Sequence, residues 1–479
     1  MANELKGYGQ IVYIEPESTF GTGVAPTGSS GQCMNISKLV ITKEDSKLSN
    51  KEFKQGRTKV RPVLNKVAVT VDLESNIHAS GTAGTPPDVS DLLQTCFTET
   101  IKTGTYTIGE GSTVSNIVLA DAATGIEAMD VIGVPINGEL YPVMVVEIVD
   151  TDVSGSTVYS LSILPSLPSA PEAGDTIDRY VRYDLSEPTK TATIYNYYPD
   201  GILETATGVS ANELVFNFSG GDFATMNAKC SAVDMAYAMD GMTLSAGVND
   251  SVTSFPITGL PKGFNYGSGP LLYLQIGDEI VKVTKIYDLE SETGPSLDVV
   301  RGQFSTTPAS HLTAAPLTVY MPDATMLGDA IPGCQGKMFL GSFYGESFTV
   351  DGEGWFDINS ATVTIDNAIE YDMETFGHRT ASRKFSVKDR EISIEVEGIL
   401  RSNSPLHWGH NQTFGNAFIQ AGTQAGNTVV IVLSNVVFEI PELSNDAEKE
   451  LPLKLKGSVM YDSSDPEATY DDGFILIYF

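Results

Sequence analysis

Residues 67–74 (VAVTVDLE) alternate without a break, with Val67, Val69, Val71 and Leu73 on one side and Ala68, Thr70, Asp72 and Glu74 on the other. A period of two is that of the pleated strand, and no helix gathers such a set onto one stripe. The segment is therefore expected to be a strand with one face on a core and the other in water. The pattern returns at 391–397, where Ile392, Ile394 and Val396 oppose Glu391, Ser393, Glu395 and Glu397, and at 213–218 through Leu214, Phe216 and Phe218. Before 67–74 lies a basic segment, 51–66, with Lys51, Lys54, Arg57, Lys59, Arg61 and Lys66 against the single acid Glu52. After it come the loop GTAGTPP and then Val89, Leu92, Leu93, Cys96 and Phe97, spaced as the buried stripe of a helix that Asp88 or Ser90 caps. A weaker strand-then-helix pattern spans 390–422, its helix expected at 406–420 despite Gly409 and Gly415.

The two strand-and-helix patterns read as parts of one β-rich domain carrying insertions. Further strands are expected at 7–15, 35–42, 183–197, 361–365, 428–438, 451–461 and 474–479. With 45 glycines, 24 prolines and many β-branched residues in 479, the chain is mainly β. The divisions expected are 1–110, 183–240 and 323–479 for the main domain, with small β units inserted at 111–182 and 241–322. The two units look related. Residues 137–150 then 161–175, and 276–289 then 297–311, each give an acid-bearing turn, a strand, a polar loop, a second strand and a Pro-bearing exit.

The formal net charge is −32, from 61 acids and 29 bases. Such a chain is poorly suited to grip a phosphate backbone, which takes clustered cations. The charge serves solubility or a saline habitat, or it keeps a surface from adhering to a passing polyanion. Cys33, Cys96, Cys230 and Cys334 lie far apart and are expected as buried free thiols of a protein made in a reducing cytosol. No leader pattern and no apolar run of about eighteen residues is present, so the chain is expected to be neither exported nor membrane-inserted.

Candidate chemistry is sparse. His407 and His410 could share a helical face, but no third ligand lies near in sequence, and packing explains them better than zinc. The acidic loop 462–473 lacks the ligand order of an EF-hand and reads as a solvated turn. Nucleophile elbows, phosphate loops and dinucleotide loops are all missing, so no catalytic residue, metal or cofactor is expected. For the basic segment three readings stand: nucleic-acid binding, which would want more aromatics than Phe53, docking onto an acidic patch of a neighbouring copy, or a solvated loop.

Several segments taken in order resemble the tail tube (major tail) proteins of long-tailed bacteriophages. They are GYGQIVYIEPESTFGTGVAPT, NISKLVITKEDSKLSNKEF, VRPVLNKVAVTVDLESN, DVSDLLQTCF, VSANELVFNFSGGDFATMNAKC and VKDREISIEVEGIL. The resemblance is one of pattern and order over about 300 residues outside the two insertions. It implies a β-sandwich or rolled-barrel tube domain with a flanking α-helix. It also implies self-assembly into stacked, hexameric rings whose inner strands close into one barrel, the channel by which DNA leaves the virion. The loop that contacts neighbouring subunits would be 43–66, with Arg57, Lys59 and Arg61 at the contact. If 67–74 and 391–397 are inner strands, Asp72, Glu74, Glu391, Glu395 and Glu397 line the lumen, and the channel is expected to be acidic, so that DNA does not adhere to it. The resemblance further implies tape-measure and tail-terminator or tip proteins as partners, DNA in transit only, a place in the virion tail, and assembly in the host cytoplasm. The two insertions would decorate the outside of the tube. The competing expectation is a virion-surface or secreted β-domain that binds carbohydrate, which the presence of only Trp355 and Trp408 disfavours.

Overall fold

The computed structural model describes residues 9–25, 33–48, 63–153, 156–187, 190–199, 201–260, 272–287, 295–322, 328–341, 355–356, 358–399, 414–440, 442–443, 452–460 and 473–479. The chain is mainly β, as its alternation requires. Seven antiparallel strands stand side by side in the order Lys38–Leu48, Val63–Asn76, Thr225–Ala232, Ile202–Ser219, Ile358–Asp366, Glu391–Ile399 and Pro452–Val459. The sheet continues into the end of Asn427–Phe438, whose first half pairs instead with Phe474–Tyr478, and then through Tyr180–Leu185 to Phe97–Lys102. A second layer joins the first half of Ile202–Ser219 to Thr191–Tyr198, Ile11–Glu17, Cys33–Met34 and Asp234–Met239. The long strand Ile202–Ser219 thus belongs to both layers. Where it passes from one to the other its register slips, and Gly208 there takes a φ of 65° with the Val233 side chain packed where a Cβ would sit.

Between the layers lies one continuous core. Val69, Val71 and Leu73 meet Leu214, Phe216, Val363, Ile394 and Val396 from the same sheet, and Val12, Ile14 and Ile194 from the other layer. Val67, Val69, Val71, Leu73, Leu214, Phe216, Phe218, Ile392, Ile394 and Val396 all point into it, while the residues between them are at least partly exposed.

Two expectations about helices need correction. The flanking helix is a single turn, Ser90–Leu93, and neither Asp88 nor Ser90 caps it. Asp88 accepts the Asn35 backbone N–H at 2.9 Å instead, and the Ser90 hydroxyl bonds Glu99. The stripe Val89, Leu92, Leu93, Cys96 and Phe97 is nevertheless buried, because Phe97 opens a strand whose first side chain faces the same core. The second expected helix is no helix where it is described: Phe414–Gln424 is a strand between Lys337–Gly341 and Asn427–Phe438. Its residues 416–420 are buried on both faces, the polar Asn416 and Gln420 included, so no period-two signal remains to be read.

The two small units prove to be copies of one topology. In the first, Asn116–Leu119, Ser156–Leu164, Glu139–Val153 and Val131–Ile136 lie in that order. In the second, Ser254–Thr258, Ser296–Val300, Glu279–Tyr287 and Tyr273–Ile276 repeat it. Each set of four is flanked by a first and a last strand that pair with each other, Tyr106–Thr107 with Thr176–Ile177 and Met242–Leu244 with Pro316–Val319. In the second unit the last strand also pairs with Tyr273–Ile276, closing a six-stranded barrel. The corresponding hairpins turn through Asn137-Gly138 and Gly277-Asp278, with Gly138 at φ 83° and Gly277 at φ 60°.

Neither unit merely hangs from the main fold. The first shares a core with Phe418, Val430, Val432, Ile475, Ile477 and Phe479, and the second with Tyr13, Cys33, Tyr195, Tyr197, Leu203 and Ala238.

Candidate functional site

The wet side of the seven-stranded sheet is the largest organised polar surface that the alternation predicts. Strand register fixes its rows. Asp72 lies opposite Lys229, Lys229 opposite Glu213, Glu213 opposite Asp366, and Asp366 opposite Glu391. Two rows further along, Asn217 faces Thr362, Thr362 faces Glu395, and Glu395 faces Lys456. All five carboxylates expected to share a surface (Asp72, Glu74, Glu391, Glu395 and Glu397) therefore do share one. Asp72 and Glu74 stand on one strand and the three glutamates on another, four strands away.

This face is not a plain acidic wall. Lys38 Nζ lies 2.6 Å from Glu74, Lys229 2.7 Å from Glu213, and Lys388 2.9 Å from Glu391 and 3.2 Å from Asp366. On the far strand Lys456 lies 2.6 Å from Glu395 and Lys454 3.0 Å from Glu397. The bond from Lys456 holds the Glu395 carboxyl below the usual range, and Glu74 and Glu213 raise the Lys38 and Lys229 ammonium groups. These pairs are largely solvent-exposed, so each adds little stability. Their effect is on the field: carboxylates and ammonium groups interleave across the face. The lysines were visible only as residues of the right parity, 454 and 456 beside Leu453 and Leu455. Which acids they oppose depends on strand neighbours distant in sequence.

The face ends at Lys38–Leu48, which among the described residues pairs only with Val63–Asn76. The two form a hairpin whose far half leaves the core, with residues 44–48 exposed and Leu48 opposite Val63 at its end. Arg57, Lys59 and Arg61, in the stretch joining these strands, lie outside the described residues. The same is true of His407, His410 and residues 462–472.

Other ionic groups build structure. Asp130 is buried between Lys102 and Arg182, each 3.0 Å away, and ties the first unit to the main sheet. Burial lowers the Lys384 ammonium to about 8, and its Nζ donates to the Ser210 hydroxyl at 2.9 Å and to the Lys190 carbonyl. A cleft of about 790 Å³ is lined by Glu187, Asn367, Lys388, Asp389 and Arg390 among others. Cys33, Cys96 and Cys230 are buried free thiols, whereas Cys334 is exposed. Among the described residues no group of three or more His, Cys, Asp or Glu side chains is placed to hold a metal ion, and no helix is long and apolar enough to cross a membrane.

No protein-family model matches the chain, and no curated protein matches it.

Proposed function

We propose that the chain is the repeating subunit of a hollow tube, the tail tube of a long-tailed bacteriophage, in which stacked, six-membered rings enclose a channel for DNA. One observation carries this reading: a polar sheet face seven strands wide, backed by a single core and ending at a strand that pairs on one side only among the described residues. A strand edge left open is a liability for a solitary protein and a joint for one that adds copies of itself. Closing such faces into a ring leaves no edge exposed.

In this reading Asp72, Glu74, Glu391, Glu395 and Glu397 face the lumen together with their lysine partners. A wall of interleaved charges offers DNA no run of cations from which to displace counterions, so passage is not arrested. The basic segment with Arg57, Lys59 and Arg61 docks on the acidic exterior of an adjoining subunit. A tape-measure protein, a terminator and tip proteins are the partners the reading calls for, in the virion tail after assembly in the host cytoplasm. No catalysis, cofactor or membrane insertion belongs to it.

Negative-stain microscopy and sedimentation of the purified chain test it. Rings or hollow tubes are expected, and a monomer at every concentration and salt tried would overturn the reading. The triple variant Arg57→Glu, Lys59→Glu, Arg61→Glu is expected to keep the wild-type circular dichroism and to polymerise poorly.

A further inference from the structure

The paired strands Ile369–Tyr371 and Lys384–Ser386, with the segment that follows Ile11–Glu17, line a pocket of about 340 Å³. Phe20, Ile369 and Phe385 give it apolar walls, and the Phe20 ring packs against Tyr371 with centroids 5.7 Å apart. The volume admits one ring-sized molecule. The two cations of the lining differ. Arg383 is exposed and lies 3.1 Å from the Asp372 carboxylate, whereas Lys384 is half-buried. Glu187, which is exposed, is the remaining ionisable group of the lining.

Among the described residues the bonds that hold the Lys384 amine go to uncharged oxygens. Nζ donates to the Ser210 hydroxyl at 2.9 Å and to the Lys190 carbonyl. Glu17 is the carboxylate whose charge reaches it, but both oxygens of that carboxylate are engaged elsewhere. Oε2 accepts the Thr191 hydroxyl at 2.7 Å and the Gly21 N–H at 3.0 Å, and Oε1 accepts the Thr193 hydroxyl and the Gly208 N–H, each at 2.8 Å. The Cys96 thiol acts on the amine in the same sense as Glu17, favouring its charged form. Burial outweighs both and lowers the group from 10.5 to about 8. At pH 7 about a tenth of this amine is therefore neutral, against roughly 0.03% of an exposed lysine.

We propose that Lys384 is a covalent modification site for a small aromatic aldehyde, which the pocket holds against Phe20 and Phe385 while the amine attacks its carbonyl carbon. The nitrogen lone pair forms the C–N bond and the carbonyl oxygen takes up a proton, giving a carbinolamine. That adduct loses its oxygen with the two hydrogens of the amine as water, and an imine remains. A lysine set on an apolar wall without a bonded carboxylate is disposed to act as a nucleophile and not as a surface charge. The aromatic walls select a ring on the aldehyde, since rings pack offset or edge to face. One subunit suffices for this chemistry, so it stands apart from the tube reading.

The test treats the full chain at pH 7 with a limiting amount of benzaldehyde and with sodium cyanoborohydride, which reduces the imine to a stable secondary amine, and maps the adducts by peptide mass spectrometry. The α-amino group of the chain, of comparable basicity, is the internal standard. Lys384 is expected to react about tenfold or more faster than any other lysine. Its labelling relative to the α-amino group is expected to be about tenfold higher with benzaldehyde than with acetaldehyde, which has no ring for the walls to hold. Lys384 labelled no faster than the other lysines overturns the site, and equal ratios with the two aldehydes overturn the role of the pocket. Lys384→Arg is expected to keep the wild-type circular dichroism and to lose the fast-forming adduct. Retention of that adduct in the variant would put it on another amine and overturn the assignment. The wild-type ratios are read without the variant, so they decide the matter even if Lys384→Arg misfolds.

Discussion

Glu279 and Glu139 occupy the same place in the two copied units, directly after the hairpin turn, yet do different things. Glu279 is fully buried and accepts Arg301 Nε at 2.9 Å, His311 Nε2 at 2.8 Å and the Ala309 N–H at 3.0 Å, whereas Glu139 is half-exposed and pairs with Lys337 of the main sheet. Burial raises the Glu279 carboxyl, but the bonds from Arg301 and His311 outweigh it and hold the group at about 2. A depressed acid stabilises the fold above its unfolded value, here 4.5, and ceases to do so as pH falls toward 2. Asp88 has the opposite sign: burial raises it to about 7 despite its bond from Asn35. Its protonated form belongs to the folded state, so stability declines as pH rises from 3.8 to about 7. Glu279→Gln, which strands Arg301, should lose about 3 kcal/mol at neutral pH by chemical denaturation. Asp88→Asn should be neutral at pH 4 and gain about 1–3 kcal/mol at pH 8. A pH-independent effect at either site would contradict these assignments.

Across elements, the acids of the polar face gain lysine partners from strands that the chain brings together late. Pro452–Val459 supplies Lys454 and Lys456 to Glu391–Ile399, more than fifty residues earlier. The double variant Lys454→Glu, Lys456→Glu would set two further acids against Glu395 and Glu397. Exposed pairs are weak, so the expected loss is about 1 kcal/mol, read as a lower melting temperature at low salt that about 1 M NaCl restores. Salt-insensitive destabilisation would point to packing instead.

For the whole molecule, the two units share apolar cores with the main domain. Removing 242–319 and joining the ends would uncover Tyr13, Tyr195, Tyr197 and Leu203. The shortened chain is expected to bind a hydrophobic dye and aggregate where the full chain stays dispersed. A well-behaved deletion variant would show that the barrel is an independent appendage.

Alternation alone was enough to establish the strands at 67–74, 213–218 and 391–397 and their buried sides, because a period of two admits one backbone and a core admits one face. The relation between the two units was also legible, through their hairpins and exits. Residues 416–420 concealed their strand because both faces are covered, and the Val89–Phe97 stripe exceeded its one-turn helix because a strand beginning at Phe97 buries the same side. Tertiary structure alone decided which lysine meets which carboxylate, that Glu279 is buried while Glu139 is not, and that Lys384 shares a pocket with Phe20. Each depends on segments far apart in sequence meeting in space, and local pattern carries no record of such meetings.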